Sequence, residues 1–367
     1  MKKVLFITNV PSPYRIDFFN EFGKYESIDL SVLFLEDEMK RSDRNSDWFG
    51  KDYTSFTPFF FSSRHHKNLF KQICLIIKLL NQQYDEYIFG GYNLPIMLFM
   101  MVTLKLLGYP YSIEIDGALL KKESIIKYLI KRIIISSAGK WYSPGDIPDK
   151  FLMHYGADKN NIFRYPFTSI RQNEILTLKD FSVDSKMEYR NELKIKEKYV
   201  ILAIGQFIPR KGFDVLLDAA ISLPSNYGIY IIGGIAPEPY LKHVEKNGLT
   251  NVHFIDFKAK EELKCFYRAA DIFVLPTRED IWGLVINEAL ANGLPVVTTK
   301  RCVAGLELVT NNYNGYIVDV DNSLQLTDAI NLAIENSERL SANALTSIHN
   351  YTIESMAETH EKLLNHS

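Results

Sequence analysis

Two stretches of this sequence carry residue types that suit binding of an anion and of neighbouring hydroxyls. The first is Gly205-Gln206-Phe207-Ile208-Pro209-Arg210-Lys211-Gly212. It follows an apolar run from Tyr199 that reads as a buried strand, and it precedes a helical pattern from about Phe213 to Ser222. A helix N-terminus at that place offers N–H groups and a positive dipole end to an anion. Arg210 adds a planar fork and Lys211 a point charge, both suited to phosphate oxygens. The plainer alternative is a solvated basic pair in a loop. The second stretch runs from Asp280 through Trp282, Gly283, Leu284 and Val285 to Glu288. It lies between an expected strand, Ile272 to Pro276, and a helix ending near Asn292. Carboxylates accept hydrogen bonds from vicinal hydroxyls such as those of a ribose or hexose, and Gly283 lets a ligand approach the backbone. Taken singly, either acid also fits a helix start that the dipole favours.

Elements that could position these stretches alternate along the whole chain. Strands are expected at Lys3 to Thr8, Ile28 to Leu35, Tyr53 to Phe61, Tyr87 to Phe89, Tyr111 to Ile115 and Lys140 to Tyr142. Helices are expected at Pro13 to Phe22, Asn68 to Leu80, Leu94 to Leu107, Ser124 to Ser136 and Ile147 to His154. The rhythm loosens over 165–190, then restarts and closes with two or three helices between Ser323 and Asn365. Such alternation means parallel sheets covered by helices on both faces. The expectation is α/β: two Rossmann-like domains, 1–170 and 191–350, joined by a linker at 171–190 and facing a cleft. The chain has 367 residues, more than one core usually serves.

Composition narrows the function classes. The formal net charge is −2, which argues against a coat for nucleic acid, so no nucleic-acid partner is expected. Cys74, Cys265 and Cys302 are far apart and odd in number, so they are expected to be small core residues rather than a zinc site or disulfide framework. The apolar start is interrupted too early for a signal peptide, and the longest later apolar run, Leu94 to Leu104, is far short of the ~20 residues of a membrane span. A cytoplasmic location is therefore expected. No G-x-G-x-x-G follows an expected strand, which disfavours a nicotinamide-dependent enzyme. The one Asp-x-Asp, Asp319-Val320-Asp321, reads as a loop before a capped helix, so no metal is expected there.

The two stretches together resemble the C-terminal signature of glycosyltransferase family 4, retaining enzymes of the GT-B fold. The carrying residues are the 205–212 loop, the block from Arg278 to Val296, Ala304-Gly305 and the 314–318 run. The opening from Asn9 to Phe19 looks like members that build capsular and other surface polysaccharides. The resemblance implies a metal-independent, hexosyltransferase-type enzyme without a cofactor, using a nucleotide-sugar co-substrate and a glycan or polyprenyl-linked glycan acceptor. It implies that Lys211 with Arg210 holds the donor diphosphate and that Glu288 binds the ribose hydroxyls. It also implies that Asp280, with the backbone from Trp282 to Val285, holds the donor sugar and phosphate. Gly205 and Gln206 would line the same loop, although Gln206 stands where the family has Arg and Asp280 where it has Glu. The donor would belong to the 191–350 domain and the acceptor to the 1–170 domain, and the helix in 351–367 would cross back to the first domain.

Acceptor-side candidates are fewer. Asp116 ends an expected strand and is the candidate for touching the reacting sugar, with a plain strand-end Asp as the alternative. Tyr14 and Arg15 follow the first strand and are candidates for an acceptor or donor phosphate, with a surface Arg as the alternative. Residues 121–140 hold six basic residues and one acid, interleaved with isoleucines. That segment is expected either to lie on an anionic membrane surface or to be an ordinary sheet-covering helix with solvated lysines. A sugar-nucleotide epimerase and a non-catalytic sugar-nucleotide binder remain as further readings.

Overall fold

The computed structural model describes residues 1–35, 52–61, 74, 76–79, 81–177 and 183–365. Contacts divide the chain into two units, one of Met1–Ser169 with Thr352–Ser367 and one of Ile170–Tyr351.

The first unit is built on a seven-stranded sheet ordered β3-β2-β1-β4-β5-β6-β7. Its strands are β1 (Lys2–Thr8), β2 (Ile28–Phe34), β3 (Thr57–Phe60), β4 (Glu86–Gly90), β5 (Ser112–Glu114), β6 (Lys140–Ser143) and β7 (Ile162–Arg164). All pairings are parallel, with Val4 against Leu30 on one side and Glu86 on the other. Runs such as Val4-Leu5-Phe6-Ile7 are fully buried, as strands covered on both faces must be. Helices α1 (Pro13–Phe22), α2 (Pro95–Leu106), α3 (Ile125–Ile135) and α4 (Asp146–His154) connect them. Pro13 and Pro95 sit in the first turns of α1 and α2, where a missing N–H costs nothing. The helix expected over Asn68 to Leu80 lies mostly outside the described residues, as do His65 and His66.

The second unit has a six-stranded parallel sheet ordered β10-β9-β8-β11-β12-β13. Its strands are β8 (Tyr199–Ile204), β9 (Tyr227–Ile232), β10 (Val252–Ile255), β11 (Ile272–Leu275), β12 (Val296–Thr299) and β13 (Gly315–Val318). Its helices are α5 (Val183–Glu192), α6 (Phe213–Ala220), α7 (Glu238–Lys246), α8 (Lys260–Ala269), α9 (Leu284–Ala291), α10 (Val303–Leu308), α11 (Ser323–Glu335) and α12 (Ser337–Ile348). The last helix, α13 (Ile353–Asn365), packs on α1 in the first unit.

Two expectations need adjusting, and one strand was not expected. Within the stretch 171–190, Leu176 N–H donates to Ala291 O at 2.8 Å, and Arg190 on α5 pairs with Asp271 at 2.5 Å. Those anchors tie the stretch to the second unit, although its weak apolar periodicity reads as a linker. Strand β7 forms from a mixed sequence with no alternation, because β6 supplies its ladder. Only Cys302 is a core cysteine; Cys74 is exposed and Cys265 half-buried.

Candidate functional site

In the second sheet, β8 lies between β9 and β11. The chain leaves β8 toward β9 and later returns to β11 on the other side, so the β8/β11 pair is a topological switch point. Ligands of open α/β sheets bind beyond the carboxyl ends of the strands at such a point. The loop 205–212 follows β8 and the loop 276–283 follows β11, so the topology brings both sequence stretches there.

Backbone geometry joins the two loops. Gly212 has φ 68°, and a Cβ there would meet Pro276 O at 2.1 Å. Only glycine permits this close approach. Arg278 N–H then donates to Arg210 O at 2.8 Å, and the Thr277 hydroxyl donates to the same oxygen at 2.8 Å. Arg210 returns a bond from its guanidinium to Glu279 O at 2.6 Å. Arg278 adds a fork onto Asp214 and bonds to Pro209 O and Asp321. Arg278 is a fastening residue that sequence reasoning missed, although it opens the recognised block.

At this junction Lys211 Nζ lies 2.6 Å from Asp280 Oδ2, and Arg210 lies 3.5 Å from Asp280 Oδ1. A lysine has three donors, so Asp280 holds Lys211 in place while leaving it capacity for a further oxygen. The side chain of Arg210 is 43% exposed and that of Lys211 12%. Gln206 is exposed, and a Cβ on Gly205 would press on the Lys211 stem at 3.3 Å.

Helix α9 begins at the same place. Gly283, at φ 105°, precedes it, and a Cβ there would lie 3.0 Å from Cys302 Sγ. The first-turn N–H groups, including those of Leu284 and Val285, have no acceptor within the helix. One turn on, Glu288 accepts a bond from the Tyr267 hydroxyl at 2.8 Å. Burial, with the Glu288 charge adding, pushes that phenol well above its usual range. Trp282 is buried, its indole N–H donating to Asn287 Oδ1 at 3.0 Å. Its side chain is scaffold for the turn, and its carbonyl accepts from Ala304 N–H at 2.9 Å. Asp319 pairs with Lys300 and Asp321 with Arg278. Among the described residues no three His, Cys, Asp or Glu side chains cluster to hold a metal.

The first unit gathers the acceptor-side candidates differently. Arg15, expected at a phosphate or at the surface, is buried beside Phe6 and Phe167. It donates to Glu114 at 2.5 Å and to Asp116. His360, brought by α13, completes the set. Its Nε2 lies 2.8 Å from Glu114 Oε2 and its Nδ1 2.8 Å from Met356 O. Both ring nitrogens thus face oxygens. Phe18, Phe22, Tyr142 and Tyr165 enclose it. Burial alone would raise Glu114, but Arg15 and His360 outweigh it and hold the carboxyl at about 2. Asp116 goes the other way: burial raises it and Glu114 adds to the rise, against Arg15. Its side chain nevertheless remains 31% exposed, whereas Glu114 is fully buried. Tyr14 donates to Asp116 at 3.2 Å, and burial together with that charge pushes its phenol to about 12. Nothing in the sequence links His360 to residues about 246 positions earlier.

Comparison with known proteins places these geometries in a class. Residues 185–346, which hold both junction loops, match the family model described as Glycosyl transferases group 1. The uncharacterized glycosyltransferase MJ1178 of Methanocaldococcus jannaschii is 33% identical over 138 residues, 37% of this chain and 38% of that protein. The lipopolysaccharide glucosyltransferase WaaG of Escherichia coli is 30% identical over 160 residues, 42% of each chain. The chain thus spans less than half the length of these curated relatives. The solved structure of Anabaena Alr3699/HepE in complex with UDP aligns over 100% of both chains with a TM-score of 0.78 and 18% identity. The fold is α/β with two Rossmann-like parallel-sheet units, the GT-B class.

Proposed function

We propose that this protein is a retaining glycosyltransferase that moves a hexosyl group from a nucleoside diphosphate sugar to a glycan or polyprenyl-linked glycan, in surface polysaccharide biosynthesis. The observation that carries this reading is the convergence of Lys211, Arg210 and the N-terminus of α9 at the β8/β11 switch point. The glycosyltransferase names of the relatives and the UDP of the HepE complex support the donor class. In this reading the second unit holds the donor, with the diphosphate on Lys211 and Arg210 and the ribose hydroxyls on Glu288.

The bond between the sugar and the diphosphate oxygen breaks with its electron pair going to that oxygen. The acceptor hydroxyl forms the new bond to the same carbon on the face the diphosphate leaves, and its proton passes to the departing diphosphate oxygen. Negative charge grows on the leaving diphosphate, where fixed cations and helix-end N–H groups stabilise it without reorganising. Those groups supply the charge that a metal ion would otherwise bring, so the reaction is proposed to be metal-independent. The first unit would bind the acceptor, with Asp116 as the polar contact to the reacting sugar and Tyr14 beside it. The proposed location is the cytoplasm, at the inner membrane face.

A panel of UDP-, GDP- and ADP-sugars tests the reading. At least one should raise the unfolding midpoint in line with RT ln(1 + [L]/Kd) and be consumed only when an acceptor is present. Donor isomerised without acceptor would indicate an epimerase instead, and binding without turnover on any acceptor a non-catalytic binder.

A further inference from the structure

Helix α3 turns its apolar side away from the protein. Ile125, Ile126, Leu129, Ile130 and Ile133 are 48–68% exposed, and Ile135 is the buried residue of the helix. At about 100° per residue these five occupy an arc of about 140° on the side away from Ile135. An ordinary sheet-covering helix has the opposite arrangement. The neighbouring α2 does the same in part. Met97, Met100, Met101 and Leu104 face the core, while Phe99, Val102 and Leu106 along the other face and Leu107 just past the helix end are 56–82% exposed.

The two faces belong to one surface. Strands β4, β5 and β6 are adjacent in order, and right-handed crossovers put both connecting helices on the same side of the sheet. Lys105 at the end of α2 reaches Ser137 beyond α3 at 3.0 Å. Apolar exposure on this scale marks an interaction surface. Its charge selects the occupant. Lys122 precedes the stripe on its own side, and Lys127 and Arg132 flank it on the two edges at the same helical spacing. No acid stands among Ile125–Ile135. Glu123, just before the helix, is neutralised by Lys131 at 2.6 Å. A second copy of this face would bring cation against cation, whereas an anionic bilayer supplies both an apolar layer and the counter-charge.

We propose that the exposed faces of α2 and α3 form a peripheral docking surface for an anionic lipid bilayer. The isoleucines enter the acyl boundary and the flanking cations meet the head groups. Among the described residues no helix is long and apolar enough to cross the membrane, so the contact is one of lying on the surface. The surface stands independently of the proposed transferase activity.

Co-sedimentation with vesicles of phosphatidylcholine, alone or mixed with phosphatidylglycerol, tests it on the full chain. The chain should pellet with the mixed vesicles at low salt, pellet much less with phosphatidylcholine alone, and be released by added salt. A variant with Ile126→Glu, Ile130→Glu and Ile133→Glu should keep its unfolding midpoint and lose pelleting. A second variant, Leu106→Glu with Leu107→Glu, checks the α2 side independently of α3. Removing Lys122, Lys127 or Arg132 should weaken vesicle affinity by roughly fivefold each. Absence of pelleting at low salt, or pelleting unchanged in both folded variants, would overturn the proposal. So would a concentration-dependent dimer that the isoleucine variant abolishes without any vesicle binding.

Discussion

Two charged clusters of this molecule are built in opposite ways. In the first unit, Arg15 on α1, Glu114 and Asp116 at the end of β5 and His360 on α13 come together, with only Asp116 substantially exposed. In the second unit, Arg210, Lys211 and Asp280 come from two loops fastened by backbone bonds, and the cations remain partly exposed. The first arrangement fastens α13 to the sheet and leaves only Asp116 open at its rim. The second leaves donors over. A buried network with all its partners satisfied gives position and stability, while a site for a ligand needs capacity that the fold has not used.

The difference predicts where substitutions strike. Glu114→Ala leaves Arg15 and His360 buried without their shared counter-charge. Breaking such a pair costs about 3–5 kcal/mol, readable as a fall in the urea midpoint. Lys211→Ala should cost about 1–2 kcal/mol, because Arg210 stays beside Asp280. Equal losses would erase the distinction between the clusters.

Acid sharpens it. Glu114 sits at about 2 in the folded chain against an ordinary 4.5, so the folded state binds fewer protons across that interval. The stability it contributes is present above about 4.5 and is lost as pH falls toward about 2. Asp116, shifted upward, works in the opposite sense. Unfolding curves of Glu114→Gln should lack this part of the acid loss; an unchanged slope would place the acid sensitivity elsewhere.

Function should separate the clusters the other way round. Lys211→Ala and Glu288→Ala should each weaken donor affinity by at least tenfold, about 1.4 kcal/mol. Asp116→Asn should leave donor affinity intact and lower turnover. Equal donor affinity in all three variants would remove the second unit's claim to the donor. The smallest effect belongs to Asp319→Asn, an exposed change expected to leave both stability and turnover unaltered. Turnover should also survive EDTA; a loss restored by added metal would return attention to the 319–321 loop.

The contrast also explains what the sequence disclosed. The 205–212 and 278–296 stretches are contiguous, and their glycines, cations and acids lie where strand–loop–helix order must put them. The parallel α/β class followed from buried apolar runs alternating with helical periods. The Arg15–Glu114–His360 contact has no such local mark, since α13 returns across most of the chain to complete it. Arg15 stayed open between a phosphate contact and a surface cation because sequence spacing does not show which face of α1 meets β5. The 171–190 stretch looked like a linker because α5 is held by Arg190 and its backbone partners rather than by an apolar stripe. In α3 the isoleucines fitted either a membrane-facing or a sheet-covering side, and the fold turns them outward.

Calorimetric titration of UDP-, GDP- and ADP-sugars into the wild type and into Lys211→Ala tests the central claim most directly. The account predicts that at least one nucleotide sugar binds the wild type and binds the folded variant at least tenfold more weakly, about 1.4 kcal/mol. Binding of equal strength to both proteins, or no binding of any of the three to the wild type, would contradict it.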